Sequence, residues 1–413
     1  MAAKQETTYI GLDIGSTKVA CVVGVAQPER PDVSIIGLGV APTNGVKRGV
    51  VVDIEDTVSA ITSALEEAER MSGSVIERAT ISVGGSHIQS LNSRGVIAVS
   101  RADKQISRED MKRAEDAAAA ISLDANRDIL RVIPRAYIVD GQGKIADPYG
   151  MTGVRLEIDT HVITASIPAM KNLDDAIHRA GITVNQHVIS PLAAARAVLT
   201  KRQKELGVAV IDVGAESTGI AVFEDGAISF TSILPMGSNH ITKDISHALR
   251  TTLDIAEKIK TQFGEAKSPS AKDAARHDLT KIGIRGSLLA RELDAIIEAR
   301  LAEWCAMLTK ELKRSGNEAS LASGVVITGG GSGLKGLATY MEKHLEQPVA
   351  KGESRSISGI IDRVKDPAYA GAIGLMLEDL DSPRHGSGLN ERIDQVFGRV
   401  RSIVSGFLPK KST

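Results

Sequence analysis

The sequence predicts an α/β protein built from two similar domains that face each other across a cleft. Three observations lead to this expectation. A strand, an Asp-x-Gly turn and a second strand occur at residues 10–24 and again at 208–223. Valine, isoleucine, alanine and glycine are plentiful whereas aromatic residues make up 3% of the chain, which favours closely packed strands and helices. At 413 residues, the chain is long enough for more than one domain and a large core.

The composition and the two cysteines set limits on the class of protein. The net charge of −1 at pH 7 gives no sign of nucleic-acid binding, so no nucleic-acid partner is expected. Cys21 and Cys305 fall in a predicted strand and a predicted helix without metal-site spacing, which favours two buried, reduced side chains. The first residues carry no apolar signal segment, and no run approaches the roughly 18 apolar residues of a spanning helix. A soluble, cytoplasmic chain is expected unless another feature attaches it to a membrane.

The first Asp-x-Gly turn carries the side chains that a phosphate site needs. Gly15 allows a backbone N–H to approach an anion closely, and Ser16 and Thr17 can donate to phosphate oxygens. Lys18 adds a positive charge. Asp13 would repel a phosphate unless a divalent metal ion lay between them, directly or through water. Taken alone, the stretch fits an ordinary hairpin as well as a magnesium–nucleotide turn.

The second copy of the pattern makes the nucleotide interpretation more specific. Asp212 and Gly214 repeat the Asp-x-Gly turn, and Ser217 and Thr218 supply two hydroxyls after it. A duplicated strand–turn–strand indicates two similar domains, with one turn on each side of a cleft. Two carboxylates that are brought together repel, so a cation carrying a polyphosphate is expected between them.

The residues between the two copies include a predicted inserted unit. Residues 86–164 predict a compact α+β unit between two segments of the first domain. Within it, Ser107 is the expected N-cap of a helix at 111–121, with Asp110 at its third position. Apolar residues at helical spacing predict further helices at 54–72, 171–181, 191–200, 241–263 and 287–314.

Two features after the second turn are also candidates for ligand binding. Glu257 and Lys260 lie three positions apart in the helix at 241–263 and share a face, which fits a solvated ion pair or a site. Val325–Gly336 is a third glycine-rich turn after an apolar strand, and residues 331–336 match the dinucleotide pattern GxGxxG. The Walker A pattern GxxxxGK[ST] is absent from it. With two phosphate turns elsewhere, a glycine turn against a nucleobase and ribose is the preferred interpretation.

Five segments carry a resemblance to a known family: GLDIGSTK (11–18), HVITAS (161–166), DVGAESTGIAVF (212–223), VVITGGGSGLKGL (325–337) and PAYAGAIGL (367–375). In this order they resemble the superfamily of actin, DnaK-type chaperones and sugar kinases, and within it the bacterial cell-division FtsA family. The resemblance covers nearly the whole chain. It implies an actin-like ATPase fold with two related RNase H-like domains flanking a nucleotide cleft. It also implies an inserted small α+β subdomain and a C-terminal amphipathic helix.

The resemblance implies domain boundaries as well. The first actin-like domain is expected in two segments around an inserted 1C-type subdomain, and the second domain is expected to be continuous. The chain then returns to the first domain and ends in a linker and the helix. In chain order the implied segments are 7–84 (first segment of the first domain), 85–164 (insert), 165–204 (second segment of the first domain), 205–242 (second domain core), 243–319 (its outer subdomain), 320–350 (core and adenosine turn), 351–380 (return to the first domain), 381–388 (linker) and 389–409 (membrane-targeting helix).

The resemblance further implies a role for each residue of the cleft. ATP with Mg²⁺ is the implied ligand, with Asp13 and Asp212 holding the metal ion, through water. Two phosphate turns, a pair on the ribose and adenine side and an adenosine turn complete the implied site. In that order, these groups are Gly15, Ser16, Thr17 and Lys18; Gly214, Ala215, Glu216, Ser217 and Thr218; Glu257 and Lys260; and Gly329, Gly330, Gly331 and Ser332, with Lys335 over the base.

One helix departs from the pattern of the relatives. The chaperone relatives begin this small-residue helix with a glutamate beside the metal, and the corresponding residue in this chain is Ser190. The water-positioning glutamine of actin falls near Arg196. Phosphoryl transfer to water needs a group that orients the water in line, and neither residue supplies a carboxylate or amide. Slow or negligible hydrolysis is therefore expected, no catalytic residue is assigned, and ATP is expected to act as a conformational and assembly ligand.

The end of the chain predicts an amphipathic helix on a linker. Residues 381–388 are linker-like, and the apolar residues of 389–409 fall within an arc of roughly 140° on a helical wheel. Residues 389–413 carry five basic side chains and two acidic ones. This pattern fits an interfacial membrane anchor or a helix docked on protein, and the membrane-targeting helix of the FtsA family favours the anchor. The implied membrane-facing residues are Ile393, Val396, Phe397, Val400, Ile403, Val404, Phe407 and Leu408.

The resemblance thus implies an ATP-binding cell-division protein that forms actin-like protofilaments and tethers the tubulin-like FtsZ ring to the membrane. The implied partners are the C-terminal peptide of FtsZ, further copies of the chain, anionic inner-membrane lipid and other division proteins. The implied location is peripheral, on the cytoplasmic face of the inner membrane at the division septum. One alternative is a pilus-assembly-type actin-like adaptor, which should lack the basic tail. Another is a kinase or chaperone-like ATPase, for which no base carboxylate and no substrate domain stand out.

Overall fold

The computed structural model describes residues 7–26, 32–269, 274–316, 321–359 and 364–382. Internal contacts divide the chain into two units, Met1–Leu380 and Asp381–Thr413. The predicted linker beyond Ser382 and the predicted amphipathic helix lie outside the described residues. Among the helices that are described, none combines the length and the apolar character needed to cross a membrane.

The first half of the main unit opens with a meander of three antiparallel strands, followed by a short hairpin, a long helix and another strand. These are β1 (Thr8–Ile14), β2 (Lys18–Ala26), β3 (Val33–Pro42), β4 (Val46–Lys47), β5 (Val50–Val51), α1 (Ile54–Ser72) and β6 (Arg78–Val83). The predicted bounds of α1 are confirmed. Asp53 caps its start, and Gly73 ends it with a φ of 69°, a left-handed conformation that suits glycine.

The insert follows β6 and is an α+β unit, as predicted. Its elements are β7 (Gln89–Ala98), α2 (Arg108–Ala119), β8 (Arg127–Val139), β9 (Gln142–Ile145) and β10 (Arg155–Ser166). The strands form an antiparallel sheet in the order β7-β10-β8-β9, with α2 packed against it. Ser107 and Asp110 form the predicted capping box at the start of α2. Gly95 lets α2 approach closely, because a Cβ there would lie 2.0 Å from the carbonyl oxygen of Ala114.

The chain then returns to the first half, builds the second half and ends on the first. The first return consists of α3 (Ile167–Arg179), β11 (Thr183–Ile189), α4 (Ser190–Val198) and α5 (Lys201–Leu206). The second half consists of β12 (Val208–Val213), β13 (Thr218–Glu224), β14 (Ala227–Leu234), α6 (Ser238–Leu249), α7 (Leu253–Phe263), β15 (Arg276–Asp278), β16 (Ser287–Leu289), α8 (Ala290–Arg314), β17 (Val325–Thr328), α9 (Leu337–Leu345) and β18 (Val349–Lys351). The last described elements are β19 (Ile357–Gly359) and α10 (Ala370–Asp381).

The two halves contain sheets of the same design. The first sheet has the order β11-β6-β1-β2-β3-β19, and the second has the order β14-β13-β12-β17-β18. In each, an antiparallel meander (β1-β2-β3 or β12-β13-β14) has a parallel strand beside its first member, β6 or β17. The prediction of two related domains is therefore confirmed.

The helix predicted at 241–263 is two helices. Arg250 ends α6 in the left-handed conformation, with a φ of 49°. Thr252 then caps α7, since its side chain accepts a hydrogen bond from the backbone N–H of Ile255. The apolar spacing runs through both helices, so hydrophobic periodicity alone does not show the break.

Among the described residues, one large apolar core lies in each half, a third joins the halves and a smaller one lies within the insert. The joining core includes Val198 of α4, Val210 of β12 and Met376 of α10. Cys21 and Cys305 are buried thiols in the cores of the first and second halves, as predicted. Since α4 and α10 lie between the sheets, the halves meet at these helices and leave a cleft above them.

A buried aspartate fixes α10 to the first sheet. Asp379 accepts hydrogen bonds from the backbone N–H of Ile10 (3.1 Å), the hydroxyl of Thr80 (2.9 Å) and the amide of Asn185 (2.7 Å). These three donors belong to β1, β6 and β11, so one carboxylate links the last described helix to three strands. A buried charge is tolerated only with such partners.

Candidate functional site

A cavity of about 820 Å³ lies between the two halves. It is lined by both Asp-x-Gly turns, by α7, by the glycine-rich turn after β17 and by the start of α10. Its size is in the range of small-molecule sites, about 300–1,000 Å³. Fifteen of the predicted residues line it: Asp13, Gly15, Ser16, Thr17, Lys18, Asp212, Gly214, Ala215, Ser217, Glu257, Lys260, Gly329, Gly330, Gly331 and Lys335. Glu216, Thr218 and Ser332 do not line it.

The two turns have the same backbone hydrogen bond. The N–H of Gly15 donates to the carbonyl of Lys18 at 3.0 Å, and the N–H of Gly214 donates to the carbonyl of Ser217 at 3.0 Å. Ser217 therefore takes the place in the second turn that Lys18 takes in the first. Both glycine N–H groups are used within their turns, so ligand contacts fall to the neighbouring backbone groups and the side chains.

The strand register corrects the interpretation of Thr218. Thr218 pairs with Val213 in the ladder, as Val19 pairs with Ile14, so Thr218 matches a strand residue rather than a hydroxyl of the first turn. Its side chain is fully buried and its hydroxyl donates to the carbonyl of Met236 at 2.6 Å. Thr218 therefore stabilises the turn from the protein interior, on the side away from the cavity.

Asp13 and Asp212 approach the cavity from opposite sheets. Burial raises the pKa of Asp212 to about 7, with the charge of Asp13 as the second cause. Burial also raises the pKa of Asp13, against the opposing effects of a hydrogen bond from Ser82 and the charge of Lys18. Two carboxylates in this arrangement favour a bound cation. No cluster of three or more metal-ligating side chains occurs within the described ranges.

Two glycines keep space beside these carboxylates. A Cβ on Gly371, at the start of α10, would lie 2.9 Å from Asp13 Oδ2. A Cβ on Gly329 would lie 2.4 Å from Asp212 Oδ1. Larger residues at these two positions would cover the carboxylate oxygens of Asp13 and Asp212. The space that the glycines leave open is consistent with a metal ion held by both aspartates.

Lys18 is the positive group of the first turn. Its ammonium lies 4.1 Å from the centre of the Tyr369 ring, a cation–π distance. Burial lowers the pKa of Lys18, and the charges of Asp13 and Asp366 oppose that change. The aromatic face and the carboxylates hold the ammonium at the cavity wall, where phosphate oxygens could bind it.

Glu216 is turned away from the cavity and joins the two halves. Its side chain lies 3.0 Å from the ammonium of Lys243 and accepts a hydrogen bond from the backbone N–H of Arg48 at 3.1 Å. Burial acts to raise the pKa of Glu216, yet these two donors keep it below its ordinary value. The next residue of the hairpin, Gly49, donates its N–H to Ser16 Oγ at 3.3 Å. The tip of the β4–β5 hairpin thus contacts both phosphate turns.

Lys243 and this hairpin tip are cavity residues that the sequence does not predict. Lys243, Gly49 and Asn44 all line the cavity. Nothing in the local sequence identifies them, because an exposed lysine in an amphipathic helix and a glycine turn are both common.

Glu257 and Lys260 form a close ion pair with N···O at 2.7 Å. Lys260 also donates to Thr242 Oγ1 at 2.9 Å and to the carbonyl of Ser238 at 3.3 Å. Its side chain is only 9% exposed, so a simple solvated pair is the wrong interpretation. The exposed part of Glu257 remains available to a ligand hydroxyl.

The glycine-rich turn forms the opposite wall. Gly329 adopts a φ of 82°, and residues 330–333 form a short 3-10 helix. The hydroxyl of Ser332 is buried and donates to the carbonyl of Gly329 at 2.7 Å, so Ser332 closes the turn and does not reach the cavity. Lys335 is 76% exposed and paired with Glu265 at 3.0 Å, at the rim of the cavity.

Ser190 begins α4 and lines the cavity. Its hydroxyl donates to the carbonyl of Val83 at 3.3 Å. α4 is described in full and carries no carboxylate or amide side chain. This helix therefore supplies neither of the two group types that are missing at Ser190 and Arg196.

Comparisons with known proteins agree with this arrangement. A family model for "Cell division protein FtsA" matches residues 209–374, and one for "SHS2 domain inserted in FTSA" matches residues 85–164. The cell division protein FtsA of Neisseria meningitidis is 39% identical over 90% of this chain and 90% of its own. The chain belongs to the FtsA family. The FtsA proteins of Pseudomonas aeruginosa (36% identity, 92% of this chain, 91% of the relative) and Escherichia coli K12 (32%, 99% of both) are also similar.

Solved structures confirm the actin-like fold for this FtsA-family chain. The PilM–PilN type IV pilus biogenesis complex aligns with a TM-score of 0.67, 17% identity and coverage of 91% of this chain and 99% of that one. MreB5 of Spiroplasma citri bound to AMPPNP aligns with a TM-score of 0.52, 12% identity and coverage of 95% and 99%. Neighbours of this fold bind nucleotide, ADP in one MreB5 structure and AMPPNP in another. Family membership assigns an actin-like role in cell division, and so favours that interpretation over the pilus and kinase alternatives.

Proposed function

We propose that the chain binds Mg–ATP in the cleft and assembles on the inner membrane to tether the FtsZ ring. The observation that supports nucleotide binding is the meeting of both Asp-x-Gly turns, the α7 ion pair and the glycine turn around one cavity. Asp13 and Asp212 would hold Mg²⁺ through water, and Lys18 with the two turns would hold the phosphates. The nucleoside would lie between Glu257 and the turn at Gly329–Gly331.

Bound Mg–ATP would supply a compact charge that draws the two turns together. The chain's own contribution is to bind and orient it: Lys18 neutralises phosphate charge, and the two aspartates balance the metal ion. α4 offers no carboxylate or amide to orient an attacking water, so hydrolysis is proposed to be slow or negligible. The nucleotide then serves as a conformational and assembly ligand.

The proposed membrane role rests on the sequence of the last segment. Its sequence intersperses basic residues among the residues of an apolar face, which includes Phe397, Val400 and Phe407, as in interfacial helices. The proposed partners are the FtsZ C-terminal peptide, further copies in a protofilament, anionic lipid and other division proteins. The proposed location is the cytoplasmic face of the inner membrane at the septum.

Sedimentation with anionic vesicles tests the proposed membrane anchor and the proposed tether to FtsZ. Full-length protein is expected to pellet with vesicles, more so with Mg–ATP, and to bring down a labelled FtsZ tail peptide. Protein ending at Gly388 should stay in the supernatant. Ile403→Glu, on the apolar face, should release the protein, whereas its polar neighbour Ser402→Glu is the matched control and should bind. Equal pelleting of all four proteins would refute the anchor, and absence of the peptide from the pellet would refute the tether.

A further inference from the structure

The insert covers one edge of the second sheet. β14 is the edge strand of that sheet, and β7 of the insert packs beside it. Among the described strands, β7 and β14 belong to different sheets, so no backbone ladder joins them. Side chains of the insert bond instead to the outward carbonyls of β14. Ser90 donates its hydroxyl to the carbonyl of Thr231 at 2.8 Å, and Asn92 donates its amide to the carbonyl of Ser229 at 3.1 Å.

A buried histidine extends this contact. His161 of β10 is 1% exposed, and its Nδ1 lies 2.8 Å from Asn92 Oδ1. The amide of Asn92 donates to a carbonyl, so Oδ1 is its acceptor and His161 Nδ1 carries the proton. His161 Nε2 then accepts from the hydroxyl of Thr231 at 2.9 Å. We call Asn92, His161 and Thr231 the edge triad. Each member has a fixed donor or acceptor role, so the contact is specific.

Two ion pairs continue the contact along the β13–β14 hairpin. Lys144 of β9 lies 2.8 Å from Asp225, and Arg135 of β8 lies 4.0 Å from Glu224. The insert therefore meets this hairpin at its tip and along its edge. By chain connection, however, the insert belongs to the first half, between β6 and α3.

The other end of the same hairpin is fixed to the second phosphate turn. Thr218 bonds to the carbonyl of Met236, two residues beyond β14. The N–H of Ser238 donates to the carbonyl of Gly214 at 3.0 Å, and the N–H of Asn239 donates to that of Ala215 at 2.8 Å. A displacement of the second turn therefore displaces β14 with it.

We propose that the β13–β14 hairpin carries the insert, through the edge triad, when nucleotide draws the second phosphate turn towards the first. The position of the insert relative to the first half then depends on how far the two phosphate turns are drawn together. This coupling rests on the proposed nucleotide binding. Bonds from side chains to a strand edge suit it, because they fix the position of the insert and leave both sheets intact.

Three spin-label positions test the coupling in the full-length protein. Glu66 of α1, Lys112 of α2 and Lys343 of α9 are exposed and report on the first half, the insert and the second half. Both native cysteines are buried, so pairs of introduced cysteines can be labelled selectively. With Mg–ATP, the 66–343 and 66–112 distances are expected to shift, while the 112–343 distance stays unchanged.

Variants of the edge triad separate the coupling from nucleotide binding. Asn92→Ala and Thr231→Val should retain the 66–343 shift and lose the 66–112 shift. Thr160→Val is the matched control, because it removes an equally buried hydroxyl that bonds to Ser93 inside the insert at 3.1 Å. It should behave as the unaltered protein.

The opposing results are distinct. The coupling is overturned if the 66–112 distance stays fixed while 112–343 changes, if the triad variants match the control, or if the halves do not move when ATP is bound. Equilibrium dialysis with labelled ATP is run on the same samples. Lack of binding there would refute the proposed function as well, and is thus told apart from a failure of the coupling alone.

Discussion

The turn at residues 13–18 and the turn at 212–218 share a hydrogen bond and a strand register, but their side chains face different surroundings. In the first turn, Ser16, Thr17 and Lys18 all line the cavity. In the second, Glu216 faces Lys243 and the β4–β5 hairpin, so apart from Asp212 only Gly214, Ala215 and Ser217 line the cavity. The same backbone turn thus serves two purposes. The first turn presents hydroxyls and an ammonium that can bind phosphate, and the second turn is held by the contacts of Glu216 with Lys243 and the β4–β5 hairpin.

The largest expected effect is a loss of folding stability at acid pH, caused by His161, which contacts the β13–β14 hairpin next to the second turn. Burial, and secondarily the charge of Arg135, lowers the pKa of His161 to about 4 from 6.5, beside Asn92 and Thr231. A lowered pKa in the fold means that the stabilisation is complete above about pH 6.5, is lost as the pH falls and levels off below about pH 4. The loss should reach about 3 kcal/mol in the free energy of unfolding.

Thermal denaturation across this pH range measures that loss. His161→Gln cannot gain a proton, so its stability should fall less steeply between pH 6.5 and 4 than that of the unaltered protein. If stability fell equally with pH in the two proteins, protonation of His161 would not be the cause of the loss.

The next effect compares equivalent residues of the two turns. Lys18→Ala should weaken ATP binding about 10- to 100-fold, the factor expected for a charge-assisted contact. Ser217→Ala, at the equivalent position, should weaken it at most about tenfold. Titration with a fluorescent ATP analogue gives both values. Equal losses would mean that the two turns share the phosphate charge evenly.

The sequence predicts the features of this arrangement that depend on local signals. The Asp-x-Gly repeats, the bounds of α1 and the Ser107 capping box each rest on residues close together in the chain. The role of Thr218 does not, because the ladders align Thr218 with Val19, whereas matching the Ser-Thr pairs of the two turns shifts the comparison by two residues. The contact of His161 with Thr231 joins residues 70 positions apart, and only packing brings them together.

A smaller effect is expected at Glu216. Glu216→Gln keeps the shape and loses the charge that holds Lys243, so ATP should leave the cleft about fivefold faster, equivalent to about 1 kcal/mol. Stopped-flow release of a fluorescent ATP analogue provides the rate. Glu342→Gln, an exposed change on α9, serves as control and should leave it unaltered. A release rate like that of the control would mean that the link to the hairpin does not restrain the cleft.

The smallest effect is expected at the rim. Lys335 is largely exposed and already paired with Glu265, so Lys335→Ala should change ATP affinity by no more than about threefold. The same titration detects it. A loss of affinity as large as that of Lys18→Ala would mean that Lys335, beside the glycine-rich turn, is a principal ligand contact. It would contradict the expectation that the first phosphate turn contributes more to binding.

The carboxylate of Asp379 has a consequence for how the protein is made. The first half needs β19 and α10, which leave the ribosome after the whole second half, whereas the second half is continuous from β12 to β18. Until residue 379 has been synthesised, the N–H of Ile10, the hydroxyl of Thr80 and the amide of Asn185 lack this shared acceptor. The domain that begins first is therefore completed last, and the nascent chain waits for α10 before the cleft has two finished walls.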